Sequence, residues 1–164
     1  MHRWLLLVCG VLLALGSQTQ AAEKRRVLYF TQTESFRHET ILPLGLQVLK
    51  ELGAKDNAFD VDTCDDCTKW TPEYFAPYDA IVSYGSGELP LTDANKQALL
   101  DAVRGGKGFV GIHSACWVAY KTQWPAYNQM LGGFFASHPW NQVVRVVVED
   151  KQHPATAHLG ESFE

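Results

Sequence analysis

Gly108-Phe109-Val110-Gly111-Ile112-His113-Ser114-Ala115 is the stretch on which the fold turns. Its first five residues form a short apolar run of the kind that becomes a buried parallel strand. The two glycines leave room for a helix to cross closely. At His113-Ser114-Ala115 the chain must turn sharply to enter its next segment, so the strand delivers a polar side chain at its carboxyl end. Upstream, Thr92-Asp93 caps a helix whose inward residues are Leu99, Leu100 and Val103, and Gly105-Gly106 ends it. Ala80-Ile81-Val82-Ser83-Tyr84 is another strand, Thr71-Pro72-Glu73 a capped helical turn, and Phe59-Asp60-Val61-Asp62-Thr63 an alternating strand. Before these, Thr40-Ile41-Leu42-Pro43 opens a helix with Thr40 as its cap. Leu42, Leu46 and Leu49 form its apolar stripe, and it stops at Gly53. Arg25-Arg26-Val27-Leu28-Tyr29-Phe30-Thr31 is the first strand, joined to that helix by a loop over residues 32–39. Downstream, Trp124-Pro125 starts a helix running to Leu131, Gly132-Gly133 breaks it, and residues 142–148 are the strongest strand-former in the chain. Strands alternating with helices define an α/β fold with a doubly wound, mostly parallel sheet.

The 164 residues carry a net charge of −4, with 46% hydrophobic and 20% charged side chains, which is ordinary globular composition and argues against disorder and against a nucleic-acid surface. The first 22 residues read separately. Arg3 precedes an apolar run over residues 4–15, and small residues at Ala21-Ala22 follow, the pattern of a secretory signal peptide. The run is shorter than the ~20 residues a membrane-spanning helix needs. The expected product is therefore a secreted or periplasmic protein with no stable membrane anchor, its domain occupying residues 23–164.

In doubly wound sheets ligands bind beyond the carboxyl ends of the strands. That rule brings together residues distant in sequence: His38 after the first strand, Gly85-Ser86-Gly87-Glu88 after the third and His113 after the fourth. His138, in Ser137-His138-Pro139-Trp140, can fold back over the same end, and Phe134, Phe135 and Trp140 can supply either a sugar-facing wall or core. His113 is expected to serve as an acid, a base or a metal ligand, with a turn-fixing hydrogen bond as the alternative. Three histidines (His38, His113 and His138) would suit zinc with an open position, although no two have the close spacing of a metal motif. His153 and His158 read as structural or surface residues. Cys64-Asp65-Asp66-Cys67 is a poor reactive pair, because its aspartates oppose the thiolate, and in an oxidising compartment a local disulfide is expected. Cys116 is then the unpaired thiol, at the start of the segment after the turn.

Phe36-Arg37-His38-Glu39, the stretch 85–90, the Gly108 to Ala115 element, Trp124-Pro125-Ala126-Tyr127, Leu131-Gly132-Gly133, Ser137-His138-Pro139-Trp140 and His153-Pro154-Ala155-Thr156 occur in an order that resembles the trehalose-utilisation (ThuA-like) family. The resemblance implies a flavodoxin-like sheet of the class I glutamine amidotransferase-like superfamily and a role in sugar or glycoside metabolism. Two features depart from the family pattern. Cys116-Trp117 stands where the family often has an acidic residue, and family domains usually continue beyond the position of Glu164, which implies a C-terminally truncated domain. Where the amidotransferases carry a nucleophilic cysteine on a strained elbow, this chain has His113, and an imidazole does not replace a thiolate in glutamine hydrolysis. The resulting expectation is an enzyme acting on a saccharide or oxidised saccharide, with His113 and His38 catalytic and His138, Glu88, Trp140 and Ser114 contacting substrate. A non-catalytic carbohydrate-binding domain and a hydrolase using Cys116 are the alternatives.

Overall fold

The computed structural model describes residues 23–164, so the expected signal peptide lies outside the described residues. Four parallel strands form the central sheet: β1 (Arg25–Phe30), β3 (Phe59–Cys64), β4 (Ala80–Ser83) and β6 (Gly108–Gly111), in the order β3-β1-β4-β6. This is the flavodoxin-type order, in which the second strand pairs outside the first and the later strands add on the other side. Two further residue pairs, β2 (Thr33–Glu34) and β5 (Ser86–Gly87), run parallel just past the carboxyl ends of β1 and β4.

β1 organises both layers. Leu28 and Phe30 face one side, where Ile81, Phe75, Trp70, Leu99, Trp124 and Tyr127 complete the larger core. Val27 and Tyr29 face the other, with Val82, Tyr84 and Leu42. The first face is covered by α2 (Pro72–Phe75), α3 (Asp93–Arg104) and α4 (Pro125–Leu131), the second by α1 (Ile41–Lys55). A strand covered on both faces has no reason to alternate polar and apolar residues, hence its continuous apolar run.

Three local expectations hold in atomic detail. Thr92 Oγ1 accepts from the Asn95 N–H at 3.2 Å while Asn95 Oδ1 accepts from the Thr92 N–H at 3.0 Å, a reciprocal cap that ties α3 down at its start. Thr71 Oγ1 accepts from the Tyr74 N–H at 3.1 Å. Gly106 and Gly132 end α3 and α4 with φ of +103° and +79°, values that side-chain-bearing residues rarely adopt.

Two expectations are corrected. Thr40 does not cap α1 with its side chain. Its backbone is already helical, and the first amides, Ile41 and Leu42, donate instead to the His38 carbonyl, both at 3.1 Å. The segment 142–148 does not add a strand to the central sheet. Only β7 (Val146–Val147) is extended, and it pairs antiparallel with β8 (Ser162–Phe163) in a separate ribbon where Val143 is 77% exposed. Strand propensity describes a residue's fit to a pleated, half-covered surface, and here no such surface reaches the segment. Among the described residues no helix is long and apolar enough to cross a membrane.

The α1–β3 contact supplies a test. A Cβ on Gly53 would lie 2.3 Å from the Phe59 carbonyl oxygen, a backbone atom that cannot swing aside. Helix propensity alone favours Gly53→Ala by about 1 kcal/mol, but the enforced backbone shift costs about 1–3 kcal/mol. Urea unfolding is therefore expected to show a less stable variant, and a gain in stability would mean that α1 is not seated on β3 as described.

Candidate functional site

The elbow after β6 is built by backbone strain and held from two sides. Ile112 donates its N–H to Ser83 O at 2.8 Å, continuing the β4–β6 ladder to the brink of the turn. His113 then takes φ +49° and opens a 3₁₀ turn (His113–Cys116) closed by the Ala115 N–H to Ile112 O at 3.0 Å. Positive φ in a residue bearing a side chain is uncommon and costs of order 1–3 kcal/mol, so surrounding contacts must enforce it. Tyr127 supplies one such contact, its Oη donating to Ala115 O at 3.0 Å from α4. Burial pushes the Tyr127 phenol well above its ordinary range, so it remains a donor throughout the working pH range. Gly111 allows the approach, since a Cβ there would lie 2.7 Å from Leu131 Cδ2 and 3.4 Å from Ala115.

The strained turn aims His113 at His38. The two imidazole centroids lie 5.0 Å apart, and the buried ring of Tyr84 backs both, at 5.8 Å from His38 and 5.9 Å from His113. Burial raises the Tyr84 phenol above its ordinary value, which keeps this backing neutral. Phe36 stands edge-on to His38 at 4.9 Å and is 74% exposed at the rim. Among the described residues neither imidazole hydrogen-bonds to another protein group, and His113 is exposed. Around the pair opens a cleft of about 380 Å³ lined by ten residues. Three are histidines (His38, His113, His138), three are serines (Ser35, Ser86, Ser114), three are aromatic (Phe36, Trp117, Phe135), and Cys116 completes the lining.

Sequence position and tertiary placement agree for His38, His113, His138 and Ser114, which share this cleft. The His138 ring packs on Phe135 at 4.8 Å, and Phe135 on Trp117 at 5.6 Å. Glu88 and Trp140 are not among the lining residues. Glu88 accepts from the Lys121 N–H at 2.9 Å and from the Thr122 N–H and hydroxyl, pinning the loop beyond the 3₁₀ turn. Burial raises its pKa, but the bonds from Thr122 and Lys121 outweigh that and hold the carboxyl below its ordinary value. Trp140 is 70% exposed.

Sequence reasoning brought the stretch Gly85-Ser86-Gly87-Glu88 to this edge but singled out Glu88 in place of Ser86, and it missed Ser35 and Trp117. Ser35 and Ser86 meet through their hydroxyls at 3.0 Å, beside the β2–β5 pair. Gly87, at φ +89°, could have flagged this approach, because a Cβ there would lie 2.7 Å from the Glu34 backbone. Trp117 O accepts from the Gly87 N–H at 2.8 Å, so β5 and the elbow segment are joined.

No cluster of three or more metal-ligating side chains occurs among the described residues. Cys116 Sγ donates to the His113 carbonyl at 3.2 Å, an acceptor that cannot take the thiol proton, whereas an activated nucleophile needs a base there.

A flavodoxin-like α/β domain with a histidine elbow at the carboxyl edge of its sheet is therefore the class of protein that fold and site define. A sequence model of the family described as trehalose utilisation, ThuA, matches residues 26–164, and the chain belongs to that family. Two solved structures are similar to it. A ThuA-like protein from Bacteroides uniformis superposes with a TM-score of 0.71 at 29% identity, over 90% of this chain and 61% of that one. A ThuA-like protein from Parabacteroides merdae does so with a TM-score of 0.60 at 20% identity, over 85% and 60%, and bears on the fold alone. The chain thus spans about 61% of the length of the Bacteroides uniformis protein. No curated protein matches it.

Cys64 and Cys67 are free thiols in the structure and not the expected disulfide. Both are buried, and burial, reinforced by the Asp66 charge, pushes the Cys67 thiol up to about 12. A maleimide at pH 8 followed by peptide mapping is expected to mark Cys116 in the native protein, and Cys64 and Cys67 only after denaturation. If that pair stays unmarked in denaturant without reductant, the two cysteines are bonded to each other.

Proposed function

We propose that this chain acts on a saccharide or oxidised saccharide held in the elbow cleft, with His38 and His113 as its catalytic pair. The observation that carries the reading is the pair itself, 5.0 Å apart, in a cleft whose other lining residues are serines, aromatics, one thiol and a third histidine, His138. Among the described residues no Asp, Glu, Lys or Arg lines the cleft, which suits a neutral ligand over a phosphorylated or carboxylated one. Phe36, Trp117 and Phe135 offer aromatic faces to the C–H face of a sugar ring, and the serines and imidazoles offer partners to its hydroxyls. Glycosidases commonly work with two carboxylates flanking the bond, and the described lining residues include none, so in this reading the chemistry falls to the imidazoles. An imidazole pair can activate a sugar oxygen, or a C–H beside a ketone, by exchanging a proton or by holding a metal ion against the oxygen. The acidity of such a C–H is why an oxidised sugar stands beside the parent sugar in this reading. The family's description, trehalose utilisation, supports a sugar as the ligand.

Turnover and binding of disaccharides and their keto derivatives by the full chain provide the test. His113→Asn is chosen because Asn tolerates positive φ and removes the imidazole. The variant is expected to stay within ~1 kcal/mol of the parent in stability while turnover falls at least about tenfold, or ~1.4 kcal/mol. The double variant with His38→Ala should be non-additive in turnover, as expected of groups sharing one site. A large loss of stability with full activity in the folded fraction would return His113 to the scaffold. Binding without turnover by the parent would make the domain a carbohydrate-binding one. Phe36→Ala, at an exposed rim position, is expected to leave stability within ~0.5 kcal/mol and raise KM several-fold. An unchanged KM would remove Phe36 from the sugar surface.

A further inference from the structure

We infer that the site continues past His113 into a second cavity, and that its ligand is a saccharide bearing an apolar aryl or alkyl substituent, the sugar in the elbow cleft and the substituent in the adjoining space. The sugar half of this inference rests on the saccharide reading. The second cavity measures about 320 Å³ and meets the cleft at His113 and Cys116, which line both. Its other lining residues are Gly111, Ala115, Leu131, Gly133 and Phe134.

The segment after α4 divides the two spaces. Gly132 ends the helix at φ +79°, the Gly133 N–H donates to Asn128 O at 3.2 Å, and the Phe135 N–H donates to Cys116 O at 3.1 Å, so residues 133–135 are held against the elbow. Phe135 lines the cleft and Phe134 lines the second cavity. Phe134 is half exposed, so ring surface remains free for a ligand. Gly133 leaves open space beside it, since a Cβ there would meet nothing within 4 Å.

The two linings differ in chemistry. The cleft carries three serines and three histidines, partners for the hydroxyls of a sugar. Among the described residues the second cavity has no polar side chain besides the shared His113 and Cys116. A second sugar ring placed there would exchange water for few hydrogen-bond partners, whereas an aryl or alkyl group needs none and gains by leaving water. An aromatic ring fits in roughly 150 Å³ of apolar space, so the volume suffices. The atom joining sugar to substituent then lies beside His113, which faces both spaces.

Calorimetric titration of the full chain with phenyl and methyl glucosides of both anomers, and with maltose and cellobiose, tests the inference. A phenyl glucoside is expected to bind at least about fivefold tighter than its methyl counterpart and than either disaccharide. That advantage should fall below about twofold in Phe134→Ala, which removes the aromatic wall, and in Gly133→Leu, which fills the cavity. If Gly133→Leu fails to fold, Phe134→Ala carries the same comparison. A phenyl glucoside that binds no tighter than the methyl one, or an advantage untouched by both substitutions, overturns the inference and leaves the saccharide reading standing. Phenol alone is the sugar-free probe. If phenol binds and is lost in Gly133→Leu while no glucoside or disaccharide binds, the saccharide reading falls and the apolar cavity stands; if nothing binds, both fall.

Discussion

The left-handed turn at His113 is the constraint around which the cleft is arranged. A strand ending in a relaxed turn would carry its next side chain past the sheet edge, away from the loops that follow β1 and β4. Here the ladder bond from Ile112 to Ser83 holds the strand straight up to the turn, and the Tyr127 hydroxyl holds the far side through Ala115. Between these two anchors His113 takes φ +49°. The lack of a side chain at Gly111 lets Leu131 of α4 close against the turn. The cost of the strained residue is thus met by contacts several residues away in sequence, which is the usual condition for its survival.

Everything else in the cleft follows from sheet order. Because β1 and β4 are neighbours and β4 pairs β6, the three loops at their carboxyl ends lie side by side. They bring Ser35, Phe36 and His38 from the first, Ser86 from the second, and His113 with Trp117 from the third. The β2–β5 pair and the Gly87–Trp117 hydrogen bond fasten these loops to one another, so the serine and aromatic linings are fixed by backbone pairing. Phe135 and His138 close the remaining side from the segment after α4, which is tied in by the Phe135 N–H to Cys116 O bond at 3.1 Å.

The lining has a chemical consequence. Among the described residues the lining carries no carboxylate or fixed cation. Its polarity resides in imidazoles and hydroxyls, groups that exchange single protons and hydrogen bonds, set among aromatic surfaces. Glu88 lies close by in sequence yet works as a structural clamp on residues 121–122, because its acceptor oxygens are already satisfied by that loop.

Local sequence determined the elements whose cause is local. The doubly buried run of β1, the reciprocal Thr92–Asn95 cap, the Thr71 cap and the glycine ends of α3 and α4 each depend on residues within a few positions of one another. The alternation of strands and helices, with the rule for strand ends, was enough to place His38 and His113 in one site. Tertiary structure alone decided the rest. It released Thr40 from capping, because the His38 carbonyl reaches the same amides first. It left the valines of 142–148 outside the sheet, because propensity needs a surface to pack on. It lined the cleft with Ser86 and not Glu88 from one stretch, added Ser35 and Trp117, and left Trp140 off the lining, because which side chain faces a cleft depends on how loops distant in sequence pair with one another, and no residue's own neighbours carry that information.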